Sequence, residues 1–139
     1  MRNRFRLRQR VVVITGGSRG LGFVLARELL LRNNRIALLA RDPEELERAS
    51  KNLSGGQNVL SVPCDITNKN QVQEALRQVE SRFGTIDILI NNAGTIMVGP
   101  MASMTEEDYR KFLDVSFWGS FHTIQAVLPL MRKQGAGGS

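Results

Sequence analysis

The stretch Thr15-Gly16-Gly17-Ser18-Arg19-Gly20-Leu21-Gly22 carries the clearest chemical signal in the chain. Glycine has no Cβ, so backbone built from it can approach a phosphate closely. A helix that starts at such a turn offers free N–H groups and a positive dipole end to an anion. The spacing is Gly-x-x-x-Gly-x-Gly rather than Gly-x-Gly-x-x-Gly. A β-branched run, Val11–Thr15, precedes it, and Leu21, Val24, Leu25 and Leu29 follow at helical spacing. That strand–turn–helix context is what a dinucleotide cradle requires. Gly16, Ser18, Arg19, Gly20, Leu21 and Gly22 are therefore candidate nucleotide contacts; a purely structural turn is the alternative.

The ends of three further apolar runs carry more candidates. Ala40 closes the second run and Arg41 follows it. Nicotinamide cofactors differ at the ribose 2′ position, where an acid accepts from a hydroxyl and an arginine pairs with a phosphate. Arg41, with Arg19 reaching from the glycine turn and no acid at Ala40, favours NADP(H). Asp42 competes as an acid, but Pro43-Glu44-Glu45 makes it a helix cap. Asp65, before Ile66, is open to two readings: accepting from an adenine amino group, or capping a helix. Asn91-Asn92-Ala93-Gly94 closes the fourth run, where small residues admit a cofactor and asparagines tie loops together. His122 is the only histidine and has no partner for a metal site, so it is expected on a helix surface or at an interface. Met97, Met101 and Met104 read as flexible packing.

The elements that must position these groups alternate in period. Strands are expected at Val11–Thr15, Arg35–Ala40, Asn58–Pro63 and Ile86–Ile90. The last is apolar throughout except for Asp87. Helices are expected over Leu21–Arg32, Pro43–Asn52 and Asn68–Phe83. A long helix should follow from Glu106 to Arg132, with a capping box at Thr105 and Asp108 and a break or kink at Pro129. Strands alternating with helices imply an α/β fold: a doubly wound parallel sheet with helices on both faces.

The chain has 139 residues, of which 42% are hydrophobic and 23% charged, as in ordinary globular domains. A single cysteine, Cys64, excludes a disulfide framework within the chain. The net charge of +6 is local. Residues 1–10 hold five arginines and no acid, and taking those five from 19 basic residues leaves 14 against 13 acidic. The segment is read as a solvated extension or a start site placed upstream of Val11. Binding to nucleic acid or an acidic membrane surface is the less favoured reading. It lacks the apolar stretch of a signal peptide. The expected division is a basic tail at 1–10, a nucleotide-binding domain at 11–134 and a flexible tail at 135–139. Neither a membrane span, a nucleic-acid partner nor a metal is expected.

On the motifs Thr15–Gly22, Arg41, Asp65-Ile66 and Asn91–Gly94, the chain resembles the N-terminal part of a classical short-chain dehydrogenase/reductase, from Val11 to about Gln134. The resemblance implies a Rossmann-type sheet with strand order 3-2-1-4, incomplete at four strands. It implies NADP as cofactor in preference to NAD, and hydride exchange with a small carbonyl or alcohol substrate. It makes Gly16, Ser18, Arg19, Gly20, Leu21, Gly22, Arg41, Asp65, Ile66, Asn92, Ala93 and Gly94 cofactor contacts. It further implies a homo-oligomer built on the 106–132 helix and a cytoplasmic location.

The same resemblance exposes departures. The family's catalytic serine, tyrosine and lysine belong to elements beyond Ser139. Tyr109 is the only tyrosine, and Leu113, not lysine, stands four residues on. The family's proton-relay asparagine falls at Ser116. The chain by itself is therefore expected to be inactive. The alternative to an oxidoreductase portion is a catalytically silent nucleotide-binding or dimerising module. The fourth strand is expected to form an open edge that promotes marginal stability or self-association.

Overall fold

The computed structural model describes residues 6–94 and 101–134. Expectations for residues 1–5, Met97, the Met101 side chain and the 135–139 tail lie outside the described residues.

Val11–Thr15 (β1), Arg35–Ala40 (β2), Val59–Pro63 (β3) and Ile88–Asn91 (β4) form one parallel sheet in the order β3-β2-β1-β4. Every residue of β1 is buried. Side chains alternate across a strand, so its continuous apolar run supplies two cores at once. Val11 and Val13 face one cluster with Ala37, Leu39 and Val62, covered by Lys69–Phe83 (α3) and Ser120–Lys133 (α5). Val12 and Ile14 face the other with Ile36, Leu38 and Val59, covered by Gly20–Leu31 (α1) and Pro43–Leu53 (α2). The sheet is doubly wound, as expected.

Asp87, the exception in the fourth apolar run, precedes β4. Its carboxylate accepts from the Val11 amide at 2.9 Å, and its own amide donates to the Val11 carbonyl at 3.0 Å. The strand thus begins at Ile88 rather than Ile86. Asn34, 1% exposed, ties the chain at the same end, just before β1. It accepts from the Arg10 amide and donates to the Leu7 and Leu29 carbonyls. The last residues of the basic segment are therefore hydrogen-bonded to the domain.

The long helix differs from expectation. Glu106–Leu113 (α4) starts at the Thr105–Asp108 capping box. The next six residues, Asp114–Gly119, are π-helical, and only then does α5 begin. Pro129 lies inside α5 without ending it, and its side is exposed. The departure from α geometry falls over Asp114–Gly119 instead. A Cβ at Gly119 would lie 2.5 Å from the Ile66 Cδ1, so any larger residue would push the Ile66 side chain out of its present place. Single π turns of this kind are frequent at functional sites.

Candidate functional site

All four strands end on one edge of the sheet, where open α/β sheets bind ligands. Thr15 organises that edge. Fully buried at the end of β1, its hydroxyl oxygen accepts from the Asn92 and Ala93 amides, both at 3.1 Å. Asn92 returns the connection by donating from Nδ2 to the Gly16 carbonyl at 3.1 Å. The loops after β1 and β4 are thereby locked together.

This packing explains two glycines. Gly16 has φ +65°, and a Cβ would lie 2.9 Å from the Ala93 Cα. At Gly22 a Cβ would lie 2.5 Å from both Asn92 Nδ2 and the Gly16 carbonyl oxygen. Gly20, at φ +58°, differs: nothing lies within 4 Å of where a Cβ would be. Its left-handed backbone faces open space.

The helix starts point the same way. Asp42 caps α2, accepting from the Glu44 and Glu45 amides at 2.9 and 3.3 Å, in line with its expected role. Asn68 caps α3 and Thr105 caps α4. At α1 the N-cap is Arg19, whose side chain makes no cap, and the first turn holds no acid. Its N–H groups, the open backbone at Gly20 and the small residues at Asn92–Gly94 together suit a pyrophosphate. The residues present therefore fit a dinucleotide.

The two candidate cations, Arg41 and Arg19, are placed differently from one another. Arg41 is exposed just past β2. Arg19 is also exposed, but its Nε lies 3.5 Å from Glu45 Oε1. The Ser18 hydroxyl donates to the same oxygen at 2.8 Å. Glu45 gave no signal in the sequence beyond that of a first-turn helix acid.

Asp65 is not the cap of α3. Its carboxylate instead accepts from the Thr67 amide and hydroxyl at 3.0 and 2.7 Å, closing a local turn. Asn68, three residues later, meets the free amides of the helix. Ile66 is buried against Gly119. Its carbonyl lies 2.9 Å from His122 Nδ1; a carbonyl only accepts, so the ring donates there. His122 is thus half-buried and holds the loop after β3, rather than serving as a surface residue. Beside it, the buried Thr123 hydroxyl donates to Asn91 Oδ1 at 2.6 Å. Helix α5 therefore grips two of the four strand ends. Sequence reading placed Thr15 in the glycine motif without its link to the loop after β4, and missed the roles of Gly119 and Thr123, because each acts through a partner distant in the chain.

Cys64, 2% exposed, follows the edge strand β3 and opens this loop. Burial, then the neighbouring Asp65 charge, pushes its thiol up to about 11. It is protonated at neutral pH and is no nucleophile. Ser116 lies half-buried in the π turn, where its carbonyl accepts from the Ser120 hydroxyl at 3.2 Å. Tyr109 is exposed on α4.

The family model for short chain dehydrogenases matches residues 10–138. The chain belongs to this family. An uncharacterised oxidoreductase of Staphylococcus aureus strain MW2 is 32% identical over 131 residues, covering 94% of this chain and 56% of that relative. A short-chain type dehydrogenase/reductase from Mycobacterium marinum superposes with a TM-score of 0.89 at 32% identity, over 96% of this chain and 55% of the other. A 3-ketoacyl-(acyl-carrier-protein) reductase from Brucella melitensis, solved with NADH, gives 0.87 at 27% identity, over 95% and 54%. The chain spans about half the length of these relatives. Among its described residues, no helix is long and apolar enough to cross a membrane.

Proposed function

We propose that this chain is the cofactor-binding portion of an NADP(H)-dependent oxidoreductase that exchanges a hydride between carbonyl and alcohol. The observation that carries the reading is the uncapped start of α1 beside the open left-handed backbone of Gly20. Gly16, Ser18, Gly20, Leu21 and Gly22 would hold the pyrophosphate by backbone amides and close approach. Arg19 and Arg41 would receive a 2′-phosphate, since Ala40 supplies no acid for a 2′-hydroxyl. Asp65 and Ile66 would flank the adenine, and Asn92, Ala93 and Gly94 the inner ribose. The bound cofactor supplies the hydride; the protein orients it and excludes water. Ser116 would stand in for the family's relay asparagine, with a shorter reach.

Tyr109 has Leu113 rather than a lysine four residues on, so this chain by itself is expected to bind without turnover. A silent nucleotide-binding or dimerising module is the second reading. It draws on the exposed Phe117, Trp118 and Phe121, which would form a contact between copies along the 106–132 helix. The Arg-rich segment at 1–10 and the 135–139 tail would flank the 11–134 domain, in a cytoplasmic protein.

Calorimetric titration with NADPH and NADH, beside a carbonyl-reduction assay, tests the reading. NADPH should bind more tightly than NADH. Arg41→Ala should lower that preference about tenfold, the scale of one charge-assisted phosphate contact. An unchanged preference would refute the assignment of Arg41, and turnover would refute the silence of the chain.

A further inference from the structure

We infer that Glu45 is a built-in counter-anion of the 2′-phosphate site and sets how strongly this chain discriminates NADPH from NADH. The inference rests on the NADP(H) reading above. The glycine turn offers two polar side chains toward the ribose end, Ser18 and Arg19. Both are engaged by a single oxygen, Glu45 Oε1, at 2.8 and 3.5 Å. Glu45 can reach them because it stands in the first turn of α2, whose own N–H groups Asp42 already satisfies. Its carboxylate is therefore not needed as a cap.

The side chain of Glu45 is 23% exposed, whereas that of Arg19 is 84% exposed. The acid is held in place, and the arginine is free to turn. A dianionic 2′-phosphate arriving between Arg19 and Arg41 meets this carboxylate as a like charge and competes with it for the guanidinium. NADH carries no charge at that position and meets no such competition. Glu45 thus acts through Arg19 as a specificity-determining residue that moderates the phosphate preference.

Glu45→Gln tests this, because the amide oxygen can still accept from Ser18 while the charge is gone. In calorimetric titrations of the whole chain, NADPH should bind about three- to tenfold more tightly, as expected for removing one partly screened like charge. NADH should stay within about twofold, which also reports that the variant is folded. In an Arg19→Gln background, the gain from Glu45→Gln should largely vanish; an undiminished gain would overturn the pairing with Arg19 as the cause. If the unaltered chain prefers NADPH and Glu45→Gln leaves the ratio unchanged, the inference fails and the NADP(H) reading stands. If the unaltered chain shows no preference but Glu45→Gln creates one, the role of Glu45 stands and the reading fails. If neither protein distinguishes the two cofactors, both fail.

Discussion

Two regions of this protein handle their side chains in opposite ways. At the carboxyl edge of the sheet, the polar atoms of Thr15, Asn92, Asn91 and Thr123 are turned inward onto partners from distant segments. Along the π turn and α5, Phe117, Trp118, Phe121 and Ile124 are turned outward, each at least 40% exposed. Phe117 and Trp118 stack edge to face at 5.1 Å, and Trp118 and Phe121 at 5.6 Å. The first region is closed upon itself apart from the left-handed backbone at Gly20. The second has its largest apolar surfaces facing solvent. The difference teaches that the polar contacts joining distant segments gather at the strand ends, while the helix surface carries large apolar side chains that one copy leaves exposed.

The sharpest way to break this contrast is Gly22→Val. Its added atoms run into Asn92 and the Gly16 carbonyl, which is backbone and cannot yield. We expect a loss of about 3 kcal/mol and no detectable NADPH binding. Urea denaturation and calorimetry check both; near-normal stability would mean the two loops are not locked. Thr15→Val is milder. It leaves the amides of Asn92 and Ala93 without their acceptor, at a cost of about 2 kcal/mol by denaturation midpoint.

The pH dependence of the buried thiol comes next. Cys64 holds its proton more tightly folded than unfolded, so folding stability falls as pH rises from the ordinary thiol range to about 11. The loss is about 3 kcal/mol across that window and ceases above it. Comparison with Cys64→Ala over the same pH range isolates this group, and equal slopes would rule the effect out. The smallest effect belongs to the outward face. Trp118→Ser should change the stability of the monomer by less than about 0.5 kcal/mol while weakening self-association in sedimentation velocity. A large loss of monomer stability would show that this face is part of the core after all.

Much of this was legible in the chain. The β-branched run Val11–Thr15 and the apolar stripe of α3 announced their elements, because both obey a local period. The glycine turn was legible as the joint between a strand and a helix, because both adjoin it. Asp42 was legible as a cap from the Pro43-Glu44-Glu45 that follows it. Asp65 was not: its partner is Thr67, and nothing local separates a turn-forming aspartate from a cap. The 106–132 segment read as one helix because its hydrophobic spacing does not reveal that Gly119 must accommodate Ile66. His122 read as a helix-surface or interface residue, with no hint of its contact to Ile66, since that acceptor lies 56 positions away.

The sequence by itself determined the alternation of strands and helices, the parallel sheet and the glycine turn that joins its first strand to its first helix. Those properties follow from side-chain period, backbone freedom and contacts between near neighbours. Only the tertiary structure decided that Thr15 joins two loops, that a π turn lets α5 grip the loop after β3, and that Glu45 engages Ser18 and Arg19. Each of those depends on the approach of atoms far apart in the chain. Such approach is set by how the helices pack on the sheet, and no local pattern encodes it.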